Sequence, residues 1–260
     1  MTCPPAPSLC TQHAPVSRGR PRLVIAAGAQ RSGSSWQARA LFHLLRAAEK
    51  AQNASTGLPA TQHRTKLLNG ASWAKIAPGG SLAGSVVVKV HGWRATQALV
   101  KSVPRGVPIL TLTSERDLRD AIASVFGFKR RHLSPRAVVS TANAYVNSFD
   151  RLRPLTCGRC CIQRYEALAS DDAMTRQLRT YAELLGWADV PERTLSFVLM
   201  SLHSWRSTRE KSSTSRRGES FASSSEKGRL RLNRRWPAWR ANLTATHREW
   251  LRDHGYLCKT

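Results

Sequence analysis

The sequence predicts an α/β fold in which helices cover both faces of a central, mainly parallel sheet, giving three layers. Two observations lead to this prediction. Short apolar, β-branched runs of the kind that form buried parallel strands alternate along the chain with longer segments of helical periodicity. The 260 residues also suffice for one such domain with its own core, and we find no internal repeat or linker that divides it.

The first strand, predicted at 23–27, leads through a glycine-containing turn into the first helix. Residues 23–36 read LVIAAGAQRSGSSW, which follows the G-x-x-x-x-G-S-S pattern of a P-loop without its lysine. Such a turn aims backbone N–H groups and the positive end of a helix at one place, which suits a phosphate or a sulfate. Because Ser34 replaces the lysine and Arg31 lies within the loop, this P-loop-like turn argues against ATP or GTP and for another anionic nucleotide.

The remaining elements follow from the same patterns. Apolar, β-branched runs predict strands at 85–90, 107–113 and 159–164. Apolar residues at helical spacing predict helices at 117–128, 135–152, 171–187, 191–204 and 239–255. Residues 53–84 are rich in Gly, Ser, Ala and Pro, and 207–235 are rich in Ser and Arg, so both segments are predicted to be loop-rich or mobile. The single domain is expected to span 22–258.

The chain is strongly basic, with 41 Lys and Arg against 16 Asp and Glu and a net charge of +25. This excess favours an anionic partner, such as a polysaccharide, a nucleic acid, a membrane surface or a charged cofactor. No run of about 18 apolar residues is present, so we expect no membrane span. Residues 1–21 contain no acidic residue and no apolar signal segment, so we expect a disordered arm on a cytoplasmic protein, with an organelle transit peptide as the alternative.

The cysteines do not predict a metal site. Cys157 and Cys160 have C-x-x-C spacing, but no second pair of Cys or His lies at the distance that a zinc site requires. A buried strand that carries incidental thiols is the simpler interpretation.

Candidate catalytic residues lie at the end of the strand predicted at 85–90. Alternation along a strand places Lys89 and His91 on the same side of the chain. Ligands of parallel sheets bind beyond the carboxyl ends of the strands, where the loop that carries Arg31 also lies. The three side chains can therefore converge on one crevice, and His91 is the natural general base near neutral pH.

A further candidate group follows the strand predicted at 107–113. Arg116 lies at the junction of strand and helix, and Ser124 lies two turns into the helix. An arginine fork with a hydroxyl group can bind a second phosphate. In isolation, an ion pair or a helix cap would be the simpler interpretation of Arg116.

Together these residues resemble the sulfotransferase family that uses 3′-phosphoadenosine 5′-phosphosulfate (PAPS). Six motifs occur in the family's order over about 22–256. They are 30–36 (QRSGSSW), 89–91 (KVH), the pair Arg116 and Ser124, 164–168 (RYEAL), 196–200 (SFVLM) and 239–244 (WRANLT). The resemblance implies the same three-layer, P-loop-like fold.

The resemblance also implies a role for each matched residue. His91 would be the catalytic base, while Lys89 and Arg31 would stabilise charge on the sulfuryl group and the leaving phosphate. The implied donor-binding residues are Arg31, Ser32, Gly33, Ser34, Ser35, Trp36, Arg116, Ser124, Tyr165 and Phe197. No metal is implied, because protein cations would take the place of Mg²⁺.

Two departures from the family pattern affect residues assigned to the site. Arg31 replaces the loop lysine; it keeps the charge but is a poor proton donor. The family's C-terminal Arg-Lys-Gly nucleotide clamp has its nearest match at 226–228 (EKG), so Lys227 and Gly228 are assigned to it with Glu in place of Arg.

The implied reaction is transfer of a sulfuryl group from PAPS to a hydroxyl or amine, leaving 3′-phosphoadenosine 5′-phosphate (PAP). The acceptor is expected to be a small molecule or a carbohydrate, and the basic charge favours an anionic one. No specific nucleic-acid partner is expected. Two alternatives stay open: a P-loop-type nucleotide kinase, and a non-enzymatic basic protein that binds nucleic acid or another polyanion.

Overall fold

The computed structural model describes residues 22–56, 65–70, 72–80, 82, 84–129, 134–156, 162–217 and 239–257. In this part of the chain five strands form one parallel sheet, in the order β2-β3-β1-β4-β5. The strands are β1 (Leu23–Gly28), β2 (Lys66–Asn69), β3 (Val86–His91), β4 (Ile109–Glu115) and β5 (Ile162–Arg164). The α/β prediction is thus confirmed, with a sheet that is parallel throughout.

The helices connect these strands and cover the sheet. They are α1 (Ser34–Thr56), α2 (Trp73–Ile76), α3 (Trp93–Ser102), α4 (Leu118–Lys129), α5 (Pro135–Leu152), α6 (Asp171–Leu184), α7 (Glu192–Arg217) and α8 (Ala245–Asp253). Short 3₁₀ turns occupy Arg153–Leu155, Tyr165–Leu168 and Trp239–Asn242. No helix in the described segments is long and apolar enough to cross a membrane.

The core has apolar layers on both sides of β1, which is buried along its whole length. Val24 and Ala26 pack with α1, α6 and α7. Leu23, Ile25 and Ala27 pack on the opposite face, with apolar residues of β3, α2 and α3. Successive residues of one continuous apolar run therefore reach opposite faces, as a central parallel strand requires.

The segment 53–84 contains more regular structure than its composition predicts. Helix α1 continues to Thr56, the edge strand β2 pairs with β3, and the single-turn helix α2 follows. β2 is only four residues long and partly exposed, so its sequence lacks the long apolar run that marks a buried strand. Helix α3 was not predicted either, since Thr96 and Leu99 are its two buried residues and its apolar signal is weak.

Residues 207–217 continue α7. The prediction that 207–235 form a loop-rich or mobile segment is therefore wrong for this part of it. Glycine and proline are both absent from 192–217, so no residue there interrupts the helix despite the Ser- and Arg-rich composition. The helix predicted at 239–255 is broken into a 3₁₀ turn and α8, whose N-cap is Thr244. The predicted arm at 1–21, the cysteines at 157–161 and the remainder of the 207–235 segment lie outside the described residues.

We expect Trp250→Ala to lower the free energy of unfolding by about 3–5 kcal/mol, the range for removing a buried aromatic side chain. Trp250 packs edge-on against Tyr145 and Phe149 and stacks on His254 with ring centroids 4.0 Å apart, which joins α8 to α5. Urea unfolding measures the change. Glu249→Ala, an exposed neighbour, serves as the control, and equal effects of the two substitutions would contradict this role of Trp250.

Candidate active site

The turn between β1 and α1 is closed by its own backbone. The Ser32 amide donates to the Ala29 carbonyl at 3.2 Å. The Gly33 carbonyl accepts from the amides of Trp36 and Gln37, at 2.9 and 3.3 Å, and this begins α1. The first amides of a helix have no acceptor within it, so the start of α1 presents N–H groups and the positive end of the helix dipole at this turn.

Close packing against β4 fixes the start of the same turn. The hydroxyl groups of Ser32 and Ser114 lie 2.7 Å apart, and both residues are buried. A Cβ atom on Gly28 would lie 2.3 Å from the Ser32 Oγ and 2.6 Å from the Ser114 Oγ. The turn therefore requires glycine at position 28 because a side chain has no room there.

Arg31 has a left-handed backbone, with φ of 72°, and is the single non-glycine residue with positive φ in the described segments. Its Nε donates to the Ser124 Oγ at 2.8 Å, and its carbonyl accepts from Arg116 Nη1 at 3.4 Å. Ser124 is fully buried, so its hydroxyl lies behind Arg31. These contacts hold an arginine in a conformation that L-residues rarely adopt.

Tyr165 joins the loop to Arg116. Its ring lies against Gly33, where an added Cβ would come within 2.5 Å of Tyr165 Cδ2, and Gly33 also has a positive φ of 102°. The guanidinium carbon of Arg116 lies 4.3 Å from the centre of the Tyr165 ring. The Tyr145 hydroxyl accepts from the Arg116 amide at 2.8 Å and donates to its carbonyl at 2.9 Å, which fixes the backbone of Arg116.

Lys89 and His91 both lie at the carboxyl end of β3. Their side chains are on the same side of the strand, as the alternation of side chains along a strand predicts. In the parallel register His91 is level with Gly28 of β1, and Gly28 is level with Ser114 of β4. His91 is exposed and Lys89 is half-buried. The carboxyl ends of three neighbouring strands thus meet beside the loop.

A cavity of about 630 Å³ brings most of the predicted residues together, and we name it the nucleotide-side cavity after the ligand that the sequence predicts for these residues. Its lining includes Arg31, Gly33, Ser34, Ser35, Trp36, Lys89, His91, Arg116 and Tyr165. It also includes Gln30, Asp120, Glu166 and Trp205, which the sequence analysis did not single out as site residues.

A second cavity of about 480 Å³ is also lined by Lys89 and His91, and we name it the acceptor-side cavity after the second substrate that the sequence predicts. The rest of its described lining comes from α1, β2 with the following Gly70, the end of β3, the start of α3, and α7. Four residues line both cavities: Ser35, Lys89, His91 and Trp205. Trp205 comes from α7, which packs on α1. In the sequence, Trp205 stands out only as an isolated aromatic residue at the start of a polar stretch.

Some predicted residues lie elsewhere. Ser32 and Ser124 are buried behind the loop and line neither cavity. Phe197 is 57% exposed on α7 and also lies outside both linings. Lys227 and Gly228 are outside the described residues, so the nucleotide clamp stays a prediction. Within the described segments, no group of three or more His, Cys, Asp or Glu side chains has an arrangement that could hold a metal ion.

The residue that precedes Arg116 is a buried carboxyl group, since Glu115 is 2% exposed. The pKa of Glu115 is raised to about 7, chiefly because the side chain is buried; the positive charge of Arg164 opposes this rise, and the negative charge of Glu166 adds to it. A hydrogen bond with Tyr256 acts in the opposite direction. The residue next to Arg116 in the chain is therefore an acid with a pKa near neutral, although it lines neither cavity.

Comparisons with known proteins find structural similarity only. No family model matches the chain, and no curated protein matches it significantly. A retinol dehydratase in complex with androsterone and inactive cofactor PAP matches with a TM-score of 0.45 and 13% identity, covering 70% of this chain and 64% of its own. Mouse sulfotransferase SULT7A1 complexed with PAP matches with a TM-score of 0.43 and 14% identity, covering 72% and 65%. The chain thus spans slightly less than two thirds of each.

We expect Glu115→Gln to raise the free energy of unfolding at pH 8 by up to about 3 kcal/mol, and to change it little at pH 4. The folded carboxyl has a pKa of about 7 against an ordinary value of 4.5, so the folded state loses stability relative to the unfolded state as pH rises through this window. Glutamine cannot lose a proton and avoids that loss. Urea unfolding at both pH values measures the difference.

The exposed substitution Glu249→Gln is the matched control for this experiment, since it removes the same charge from the surface of α8. A Glu115→Gln effect that does not vary between pH 4 and pH 8 would show that the carboxyl titrates normally.

Proposed function

We propose that this protein is a sulfotransferase that moves a sulfuryl group from PAPS to a hydroxyl group, or an amine, of a second substrate. The observation that carries the proposal is that Lys89 and His91 line two cavities at once. A transfer between two bound substrates requires two adjacent sites whose reacting groups meet at the catalytic residues. The cavities have volumes of about 630 and 480 Å³, within the usual range of small-molecule sites.

The nucleotide-side cavity suits a ligand with several anionic groups. Arg31, Lys89 and Arg116 supply three cations, and the start of α1 supplies N–H groups. A bound PAPS supplies an activated sulfuryl group on its 5′-phosphate and a separate 3′-phosphate. We assign the phosphosulfate to Arg31, Lys89 and the loop, and the 3′-phosphate to Arg116, with Trp36 and Tyr165 beside the nucleoside.

The structure favours an indirect role for Ser124. Its buried hydroxyl accepts a hydrogen bond from Arg31 at 2.8 Å, so we assign it to holding this guanidinium rather than to contacting the 3′-phosphate. Holding the cation in place before the reaction avoids reorganisation as charge develops on the leaving phosphate. Direct contacts of Ser32, Phe197, Lys227 and Gly228 with the donor stay predictions.

The proposed step is balanced by one proton transfer. The bond between sulfur and the 5′-phosphate oxygen breaks, a bond between sulfur and the acceptor oxygen forms, and PAP leaves. The proton of the acceptor hydroxyl passes to a ring nitrogen of His91, which is exposed at the junction of the two cavities. Lys89 and Arg31 stabilise the charge that develops on the sulfuryl and phosphate oxygens.

We expect His91→Ala to reduce transfer by about 100-fold or more, because loss of a general base costs that much, while PAP binding changes little. Transfer is measured with ³⁵S-labelled PAPS and a panel of small phenols, and binding is measured by calorimetry with PAP. His203→Ala on α7, which lines neither cavity, is the control. Parallel loss of transfer and PAP binding would mean that His91 is structural.

We expect Arg116→Ala to weaken binding of PAP about 10- to 100-fold more than binding of AMP, because a hydrogen bond to a charged group contributes about 1.5–3 kcal/mol and AMP lacks the 3′-phosphate. Calorimetry with both nucleotides gives the ratio. Arg136→Ala, which removes an exposed charge from α5, controls for net charge. Equal weakening of both nucleotides would refute the assignment, and Mg²⁺-dependent binding of ATP in preference to PAP would favour a kinase.

A further inference from the structure

The acceptor-side cavity contains one charged residue that the proposed transfer does not use, Arg39. Ser35, Ala38 and Arg39 lie on one face of α1, three and four residues apart, and all three line this cavity. Ser35, at one end of this face, lines both cavities beside Lys89 and His91, and Arg39 lies one helical turn further along α1. A ligand that lies along this face would therefore reach both His91 and Arg39.

Arg39 is held by an aromatic ring. Its guanidinium carbon lies 4.5 Å from the centre of the Trp205 ring, and both side chains are half-buried. A guanidinium group that stacks through its face donates hydrogen bonds from its edge, so the stack is compatible with a carboxylate bound at that edge. Because α7 supplies Trp205, the packing of α7 on α1 sets the position of this cation.

The electrostatics of this face favour a negative ligand. Among the described residues, the lining of the acceptor-side cavity includes Arg39, Lys89 and His91 but no acidic residue, whereas that of the nucleotide-side cavity includes Asp120 and Glu166. One turn beyond Arg39 on α1, burial lowers the pKa of His43, and the positive charges of Arg39 and Arg46 lower it further. The stretch of α1 from Arg39 to Arg46 therefore has a positive electrostatic potential.

Apart from its charged residues, the described lining combines apolar side chains with the polar groups of Ser35 and Asn69. Ala38, Leu67, Ala95 and the Trp205 ring contribute hydrocarbon surface, and Asn69 contributes an amide. Such a lining suits an apolar skeleton with few polar groups. Lys89 lies at the junction with the donor, so in the part of the chain that the structure describes Arg39 is the cation that lines the rest of this cavity, and a guanidinium group can bind a carboxylate through two parallel hydrogen bonds.

We propose that the acceptor is a small, largely apolar hydroxy acid whose hydroxyl lies at His91 and whose carboxylate binds Arg39. This inference rests on the proposed sulfuryl transfer and adds the acceptor class to it. The reaction would convert the hydroxyl to a sulfate ester, with its proton passing to His91, and would leave the carboxylate unchanged.

The test compares two hydroxy acids with their neutral amides, which have nearly the same shape. The probes are 6-hydroxy-2-naphthoate, which is rigid, and 3-(4-hydroxyphenyl)propionate, which is flexible. Binding of each acid and amide to the full chain with PAP present is measured by calorimetry, and transfer is measured with ³⁵S-labelled PAPS. We expect at least one acid to bind tenfold or more tightly than its amide and to show a higher kcat/KM.

Arg39→Met should remove this preference and bring the ratio of acid affinity to amide affinity to about one. Arg39→Lys keeps the positive charge but loses the paired N–H donors of the guanidinium, so it should give an intermediate ratio. The control is Arg46→Met, which removes an exposed charge two turns along α1 and outside the cavity; it should retain the preference. Equal binding of acid and amide in both pairs, or no binding of any probe, would overturn the proposal. A preference that survives Arg39→Met would also overturn it.

The binding measurements separate this inference from the proposed function. PAP binding that persists without a preference for either acid would overturn the acceptor class alone. An acid preference that depends on Arg39 in a protein that binds neither PAP nor PAPS would support the anionic site and refute the sulfotransferase assignment.

Discussion

The register of β1 with its two neighbours is the constraint on which the candidate site depends. β1 is buried along its length and pairs in parallel with β3 on one side and β4 on the other, so Gly28, His91 and Ser114 lie level at one edge of the sheet. A shift of one residue in either pairing would turn the side chains of that neighbour to the opposite face. The apolar core that fixes this register therefore also fixes where the histidine lies relative to the loop.

The loop is positioned by contacts from distant parts of the chain. Ser114 from β4 packs beside Gly28, Ser124 from α4 holds Arg31, and Tyr165, after β5, packs on Gly33. Two of these contacts join the loop to elements that also line the nucleotide-side cavity, since α4 supplies Asp120 and the turn after β5 supplies Tyr165. The cations are thus held by buried hydrogen bonds and close packing, which is the arrangement that electrostatic preorganisation requires.

Sequence analysis succeeded where the signal was local. The buried runs of β1, β3 and β4 and the start of α5, where Ser134 caps a helix that begins with Pro135, were recognisable from a few adjacent residues. The edge strand β2 was too short and too exposed to stand out. Trp205 could not be assigned, because its place at the site depends on the packing of α7 on α1, about 170 residues apart along the chain. Likewise, the burial of Ser124 behind Arg31 is a tertiary property that motif spacing does not contain.

The left-handed backbone of Arg31 places two opposing demands on one position. A non-glycine residue in this conformation costs about 1–2 kcal/mol of backbone strain, which glycine would relieve. Glycine would also delete the guanidinium that donates to the buried Ser124 hydroxyl, and the loss of a hydrogen-bond partner by a buried polar group costs about 1–3 kcal/mol. The two terms are of similar size, so the loop carries its arginine at little net cost to the stability of the fold.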